Sequence, residues 1–135
     1  MSDAVRLPGE EKVIKESEKL ALKIAGILDS KKARDIKILN INEKTIIADY
    51  FVIAMGTSTT QVNSLAGEIE FKLKTEDNID PARTEGAGSG TWVLLDYNSV
   101  IVHVFGREAK EFYKLDKLWA DCEEVPFEAV PNDGE

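Results

Sequence analysis

The sequence predicts a single α/β (α+β) domain in which helices flank one mixed β-sheet. Three observations point there. Residues 10–29 and 58–75 each repeat apolar side chains at the helical period. Between them, Asp49 to Met55 is a nearly unbroken apolar run, the pattern of a strand covered on both faces. Beyond them, Thr91–Asp96 and Val100–Phe105 flank Tyr97-Asn98-Ser99 and read as a β-hairpin. A chain of 135 residues suits one domain with a sizeable core.

Taken in order, residues 1–9 read as a flexible lead-in ending in Pro8-Gly9. In the first helix Ile14, Ser17, Ala21, Ile24 and Leu28 share a face, with Val13, Leu20 and Ile27 beside them. Glu10 and Glu11 suit its positive end, and Lys31 and Lys32 follow its other end. Ile36–Ile41 reads as a strand, and Asn42-Glu43-Lys44 as a turn. The second helix carries Val62, Leu65, Ala66, Ile69 and Leu73 as its stripe. Phe71 lies half a turn away, a partly exposed or partner-facing position. Ala82–Glu85 reads as a short edge strand, Gly86–Gly90 as a flexible connection, and Arg107–Tyr113 and Leu115–Ala120 as two short helical turns. The implied order is α-β-β-α-β-β-β-α-α over residues 10–120, followed by a tail over 121–135.

Composition excludes several classes. Net charge is −8, and residues 121–135 hold six acidic side chains and no Lys or Arg, so the rest of the chain is near neutral. The charge run reads as a solvated, disordered tail. There is no basic stripe for a phosphate backbone, so sequence-specific nucleic-acid binding is not expected. An acidic surface favours a basic partner. No apolar run approaches the ~18 residues of a membrane span, and the N-terminus has no signal-peptide core, so a cytoplasmic protein is expected. Cys122 is the only cysteine, which precludes an internal disulfide; its acidic neighbours Asp121, Glu123 and Glu124 work against a reactive thiolate.

The candidate chemistry begins at Gly56-Thr-Ser-Thr59, where a strand turns into a helix. Ser58 and Gln61 stand three apart before an apolar-periodic run, which is a capping box. A phosphate loop would need a lysine that this turn lacks. A magnesium-dependent nucleotidyltransferase would follow such a turn with an acidic-x-acidic pair, and Glu68-Ile69-Glu70 stands at a suitable distance. On a strand two such carboxylates converge, but on a helix they diverge by about 200°. Gly86-Ala-Gly-Ser-Gly90 leads into a strand, where a dinucleotide fingerprint requires a helix. His103, the sole histidine, reads first as a hydrogen-bonded residue on a sheet face and second as a base. Phe105 and Phe112 read as core. Trp92 and Tyr97 fit core and protein-contact roles equally, with Arg107 and Asp96 nearby.

Five blocks stand in order: Asp49-Tyr-Phe-Val-Ile-Ala54 leading to Gly56-x-Ser58-x-x-Gln-Val62; Arg83-x-Glu-Gly86; Trp92-Val-Leu-Leu-Asp-Tyr97; Val102-His-Val-Phe105; and Glu111-Phe-Tyr-x-Leu-x-x-Leu-Trp119. Together they resemble the ribosomal silencing factor family, RsfS or Iojap, over residues 10–120. The resemblance implies a nucleotidyltransferase-like fold without the catalytic acids, no cofactor and no enzymatic step. It implies binding to the large ribosomal subunit through its ribosomal protein number fourteen. Joining of the small subunit would then be blocked sterically, translation repressed, and late subunit assembly assisted. By position it assigns the binding surface to Trp92, Asp96, Tyr97, His103 and Tyr113, with Asp49, Arg83 and Glu85 added. Met55 and Thr60 depart from the family pattern, where Ser and Arg are usual, and Phe71 replaces a polar residue. A general interaction module, including a homodimer through Phe71 or the aromatic third, is the alternative from another class.

Overall fold

A computed structural model describes residues 8–107, 109, 114–115, 117 and 119–127, with side chains from Glu16 onward. Its elements are α1 (Pro8–Ser30), β1 (Arg34–Asn40), β2 (Tyr50–Met55), α2 (Thr59–Asp77), β3 (Arg83–Glu85), β4 (Trp92–Asp96), β5 (Val100–Phe105) and β6 (Glu123–Glu124). The strands form one sheet in the order β3-β4-β5-β2-β1-β6. Only β2 and β5 run parallel; the other neighbours are antiparallel. The mixed α+β sheet therefore stands as expected, with both apolar runs at its centre.

Every residue of β2 and of β5 is buried. Alternate residues point to opposite faces, which divides the core in two. Tyr50, Val52, Ala54, Val100, Val102 and Val104 meet the helices, with Ala21, Ile24 and Leu28 of α1 and Val62, Leu65, Ala66, Ile69 and Leu73 of α2. Phe51, Ile53, Met55, Ile101 and Phe105 line the other face, together with Leu39, Ile41, Ala48 and Ala109. The C-terminal segment covers the β2 side of that second face through Leu115, Trp119 and Cys122, with Trp119 edge-on to Phe51 at 5.3 Å. Its described residues do not extend over the β3–β4 side.

The helix ends follow local chemistry. Ser58 caps α2 by accepting from the Gln61 amide at 3.0 Å. The reciprocal bond reaches one residue further out than the usual box: Gln61 Oε1 accepts from the Thr57 amide at 2.6 Å, while its Nε2 donates to the carbonyls of Lys31 and Lys32 at 3.3 Å. One side chain thus ties the end of α1 to the start of α2. Asn78, left-handed at φ 57°, closes α2.

Two expectations change. Helix α1 begins at Pro8, inside the stretch read as a lead-in; proline suits a first helical turn, where its missing amide costs nothing. The acidic segment is not solvated throughout: Glu123 and Glu124 pair with Asn40 and Leu39, the Val125 amide donates to the Ile38 carbonyl at 2.8 Å, Val125 is buried and Phe127 packs on the helix-side core. Charge dominated the sequence reading of this segment, but a free strand edge and two apolar side chains outweigh it. The helical turns expected at 107–113 fall largely outside the described residues. No described helix is long and apolar enough to cross a membrane.

If residues 123–127 are part of the fold, Val125→Asp buries a carboxylate and lowers stability by about 2–3 kcal/mol, measured by urea unfolding. An unchanged midpoint would return this segment to solvent.

Candidate protein-binding face

The part of the second face that no described C-terminal residue covers belongs to β3, β4 and β5. Trp92 pairs with Phe105, Leu94 with His103 and Glu85, and Asp96 with Ile101 and Arg83. Because register partners share a face, Arg83, Glu85, Trp92, Leu94, Asp96 and His103 all lie on this side. Five of the eight expected binding residues are brought together in this way.

Trp92 is the exposed anchor, with 36% of its surface open. Its indole stacks on Phe105 at 5.2 Å and 26°, and its Nε1–H donates to His103 Nδ1 at 3.2 Å. The backbone is held as firmly. The Gly86–Gly90 loop folds back so closely that a Cβ on Gly86 would stand 2.0 Å from the Trp92 carbonyl oxygen, and Gly86 has φ +76°. Gly90, also at φ +76°, abuts Thr59 on α2. The loop read as flexible is therefore a close-packed brace that only glycine permits at these points. Beside Trp92, a groove of about 250 Å³ is lined by Glu85, Gly86 and Leu94. Arg83 forms the charged rim: its Nε is 3.2 Å from Glu85 and its guanidinium 3.9 Å from Asp96. These exposed pairs add little stability, so the charges remain available to a partner.

His103 does not reach the surface. It is 5% exposed, opposite Ile53 on one side and Leu94 on the other, with Phe51 perpendicular to it at 4.9 Å and Phe105 parallel at 5.9 Å. Burial among apolar rings pushes its pKa down to about 4. Since an indole nitrogen only donates, Nδ1 is the acceptor and the proton sits on Nε2, which is buried with no hydrogen-bond partner among the described residues.

The other expected residues lie elsewhere. Tyr97 turns to the helix side, 5% exposed in the main core, because it falls one position out of phase with Trp92, Leu94 and Asp96. Burial, with Glu70 and Asp80 nearby, raises its pKa. Asp49 also faces the helices: it accepts from Ser17 Oγ at 3.0 Å, and its amide donates to the Ser99 carbonyl at 2.8 Å. Neither therefore shares the face of Trp92. Tyr113 lies outside the described residues. Leu94, half-buried between Trp92 and Asp96, was missed; strict alternation along β4 would have found it.

The Gly56–Thr59 turn borders a second cleft of about 450 Å³, with Gly90, Thr91, Gly106, Arg107 and Ala109. Three of its polar groups are engaged within the fold: the Gly56 amide by Phe105, the Thr57 amide by Gln61, and the Ser58 hydroxyl by the Gln61 amide. Glu68 and Glu70 flank buried Ile69 on α2, as expected of a helix. Glu68 approaches Lys31 at 4.0 Å, while Glu70 acts on Tyr97. The pair therefore diverges. Among the described residues no group of three or more His, Cys, Asp or Glu could hold a metal ion. Cys122 is half-buried, and burial with Asp121 beside it raises its thiol pKa.

What the fold and this face define is an α+β sheet protein that presents Trp92, partly exposed, on a braced strand. A family profile described as "Ribosomal silencing factor during starvation" matches residues 14–135, and the chain belongs to that family. It is 40% identical over 103 residues to a ribosomal silencing factor RsfS of Halalkalibacterium halodurans, covering 76% of this chain and 87% of the relative. A crystal structure of a Chromobacterium violaceum protein superposes with a TM-score of 0.69 at 34% identity, covering 90% of this chain and 96% of that one. A more distant relative, the mouse "Mitochondrial assembly of ribosomal large subunit protein 1", is 27% identical over 121 residues, 82% of this chain and 52% of its own length.

His103 carries a signed pH dependence. A histidine in the unfolded chain takes a proton near pH 6.5, whereas the folded one takes it near 4. Between those values the unfolded state binds more protons, so stability falls as pH falls, by about 1.4 kcal/mol per pH unit. Urea unfolding at pH 7, 6 and 5 should show this loss in the native protein and a slope smaller by that amount in His103→Leu. Equal slopes in the two proteins would remove the buried neutral histidine.

Proposed function

We propose that this chain is a cytoplasmic silencing factor that binds the large ribosomal subunit through its ribosomal protein number fourteen and keeps the small subunit from joining. Family membership supports the general role, and the mouse relative's name ties that protein to assembly of the large subunit. The observation that carries the contact is Trp92: a large aromatic, one-third exposed, fixed on a rigid strand and ringed by Leu94, Arg83, Glu85 and Asp96. Central aromatics in a charged rim are what interface hot spots are made of. A net charge of −8 suits a basic ribosomal surface, steering encounter more than setting affinity. Occlusion needs no bond to be made or broken, so the action is by placement alone.

Sucrose-gradient sedimentation with purified subunits tests this. The protein should travel with large subunits and reduce joining, and Trp92→Ala should weaken binding by about 2 kcal/mol, or thirtyfold. Joining that is unchanged by the native protein overturns the reading.

A second copy of the chain is the other partner to weigh, because Phe71 is 62% exposed on the outer side of α2. Light scattering should then show a dimer that Phe71→Glu converts to monomer; a native protein that is already monomeric removes this possibility.

A further inference from the structure

We infer that His103 is the positioning residue for the Trp92 contact: it touches no partner, but its Nδ1 holds the indole in the orientation that the ribosomal surface meets. The inference rests on the reading that Trp92 is the anchor of that surface.

Three observations carry it. First, Trp92 is open to solvent on one side, and an open indole ordinarily samples several rotamers. Here its Nε1–H is spent inward, on His103 Nδ1 at 3.2 Å. The outer face offers a partner only the π surface and edge of the ring. Second, the imidazole itself has little freedom. It sits at the centre of the sheet, opposite Ile53 and Leu94, with Phe51 perpendicular and Phe105 parallel. A fixed acceptor fixes the donor. Third, the arrangement is costly to the fold. With Nδ1 accepting, Nε2 must carry the proton, and no described residue accepts from this buried N–H. A leucine or phenylalanine at 103 would fill the same apolar site without leaving a donor unsatisfied. A polar group held at the expense of stability, whose one satisfied bond orients a surface tryptophan, is placed for the tryptophan rather than for the core.

The consequence is a separation of stability from binding. His103→Leu keeps the apolar packing but removes the acceptor. His103→Asn puts a carbonyl oxygen close to where Nδ1 stands and leaves the rest of the site underfilled. The experiment uses the full chain, with Trp119→Phe as background so that Trp92 is the only indole, and purified large ribosomal subunits as the probe. The Leu variant should unfold at the same or higher urea concentration, yet bind about three- to tenfold more weakly, the scale of re-ordering one released side chain. The Asn variant should be less stable and bind more tightly than the Leu variant. The Trp92 indole Nε1–H should exchange slowly with solvent in the native and Asn proteins and rapidly in the Leu protein. A Leu variant that binds as well as the native protein overturns the inference while leaving the anchor in place. A Trp92→Ala protein that binds normally overturns the anchor itself. Binding that falls only in step with stability across the variants assigns His103 to the core and overturns the inference.

Discussion

The parallel pairing of β2 with β5 is the constraint on which the rest of the structure depends. Two adjacent parallel strands need a long crossover, and this chain uses Gly56 to Ser99 for it, placing α2, β3 and β4 in the connection. Both strands are buried on both faces, so each face must be covered by something. The helices cover one. On the other, cover is divided: the C-terminal segment lies over the β2 side, and the β3–β4 side has none from the described residues. The proposed binding face is thus what remains after the central pair has been enclosed.

Register then decides which residues can take part. Ile53 opposite His103 and Leu94 opposite His103 place the histidine on the middle one of three strands, where it is shielded from solvent but still within reach of a neighbour two residues along β4. The same parity that brings Trp92, Leu94 and Asp96 to one side sends Tyr97 to the other. A one-residue step separates a surface position from a core position. Proximity in sequence to the aromatic cluster was therefore a poor guide to membership of the face.

The elements were legible because their signals are local and redundant. The α2 stripe of Val62, Leu65, Ala66, Ile69 and Leu73 is its buried set, and Ser58 caps it as the spacing implied. The divergence of Glu68 and Glu70 likewise followed from helical geometry alone. What sequence could not carry was pairing between distant segments. Nothing in Glu123-Glu124-Val125 announces a strand; it becomes one because β1 presents a free edge some eighty residues earlier. The Gly86–Gly90 loop was read as loose because its composition permits looseness, whereas contact with Thr59 and Trp92 determines its form. His103 was correctly read as a sheet-face residue, but its partner, a donor on the next strand, depends on register.

The lateness of β6 has a consequence for how the chain is made. Synthesis delivers α1, β1 and β2 first, but the parallel neighbour of β2 ends only at Phe105 and the strand that closes β1 only at Glu124. Until those residues leave the ribosome, β1 and β2 each carry an unpaired outer edge, and only the α1 side of the pair has native cover. Pairing of the central strands therefore waits for the second half of the chain, and until then the early strand edges depend on something other than their own sheet.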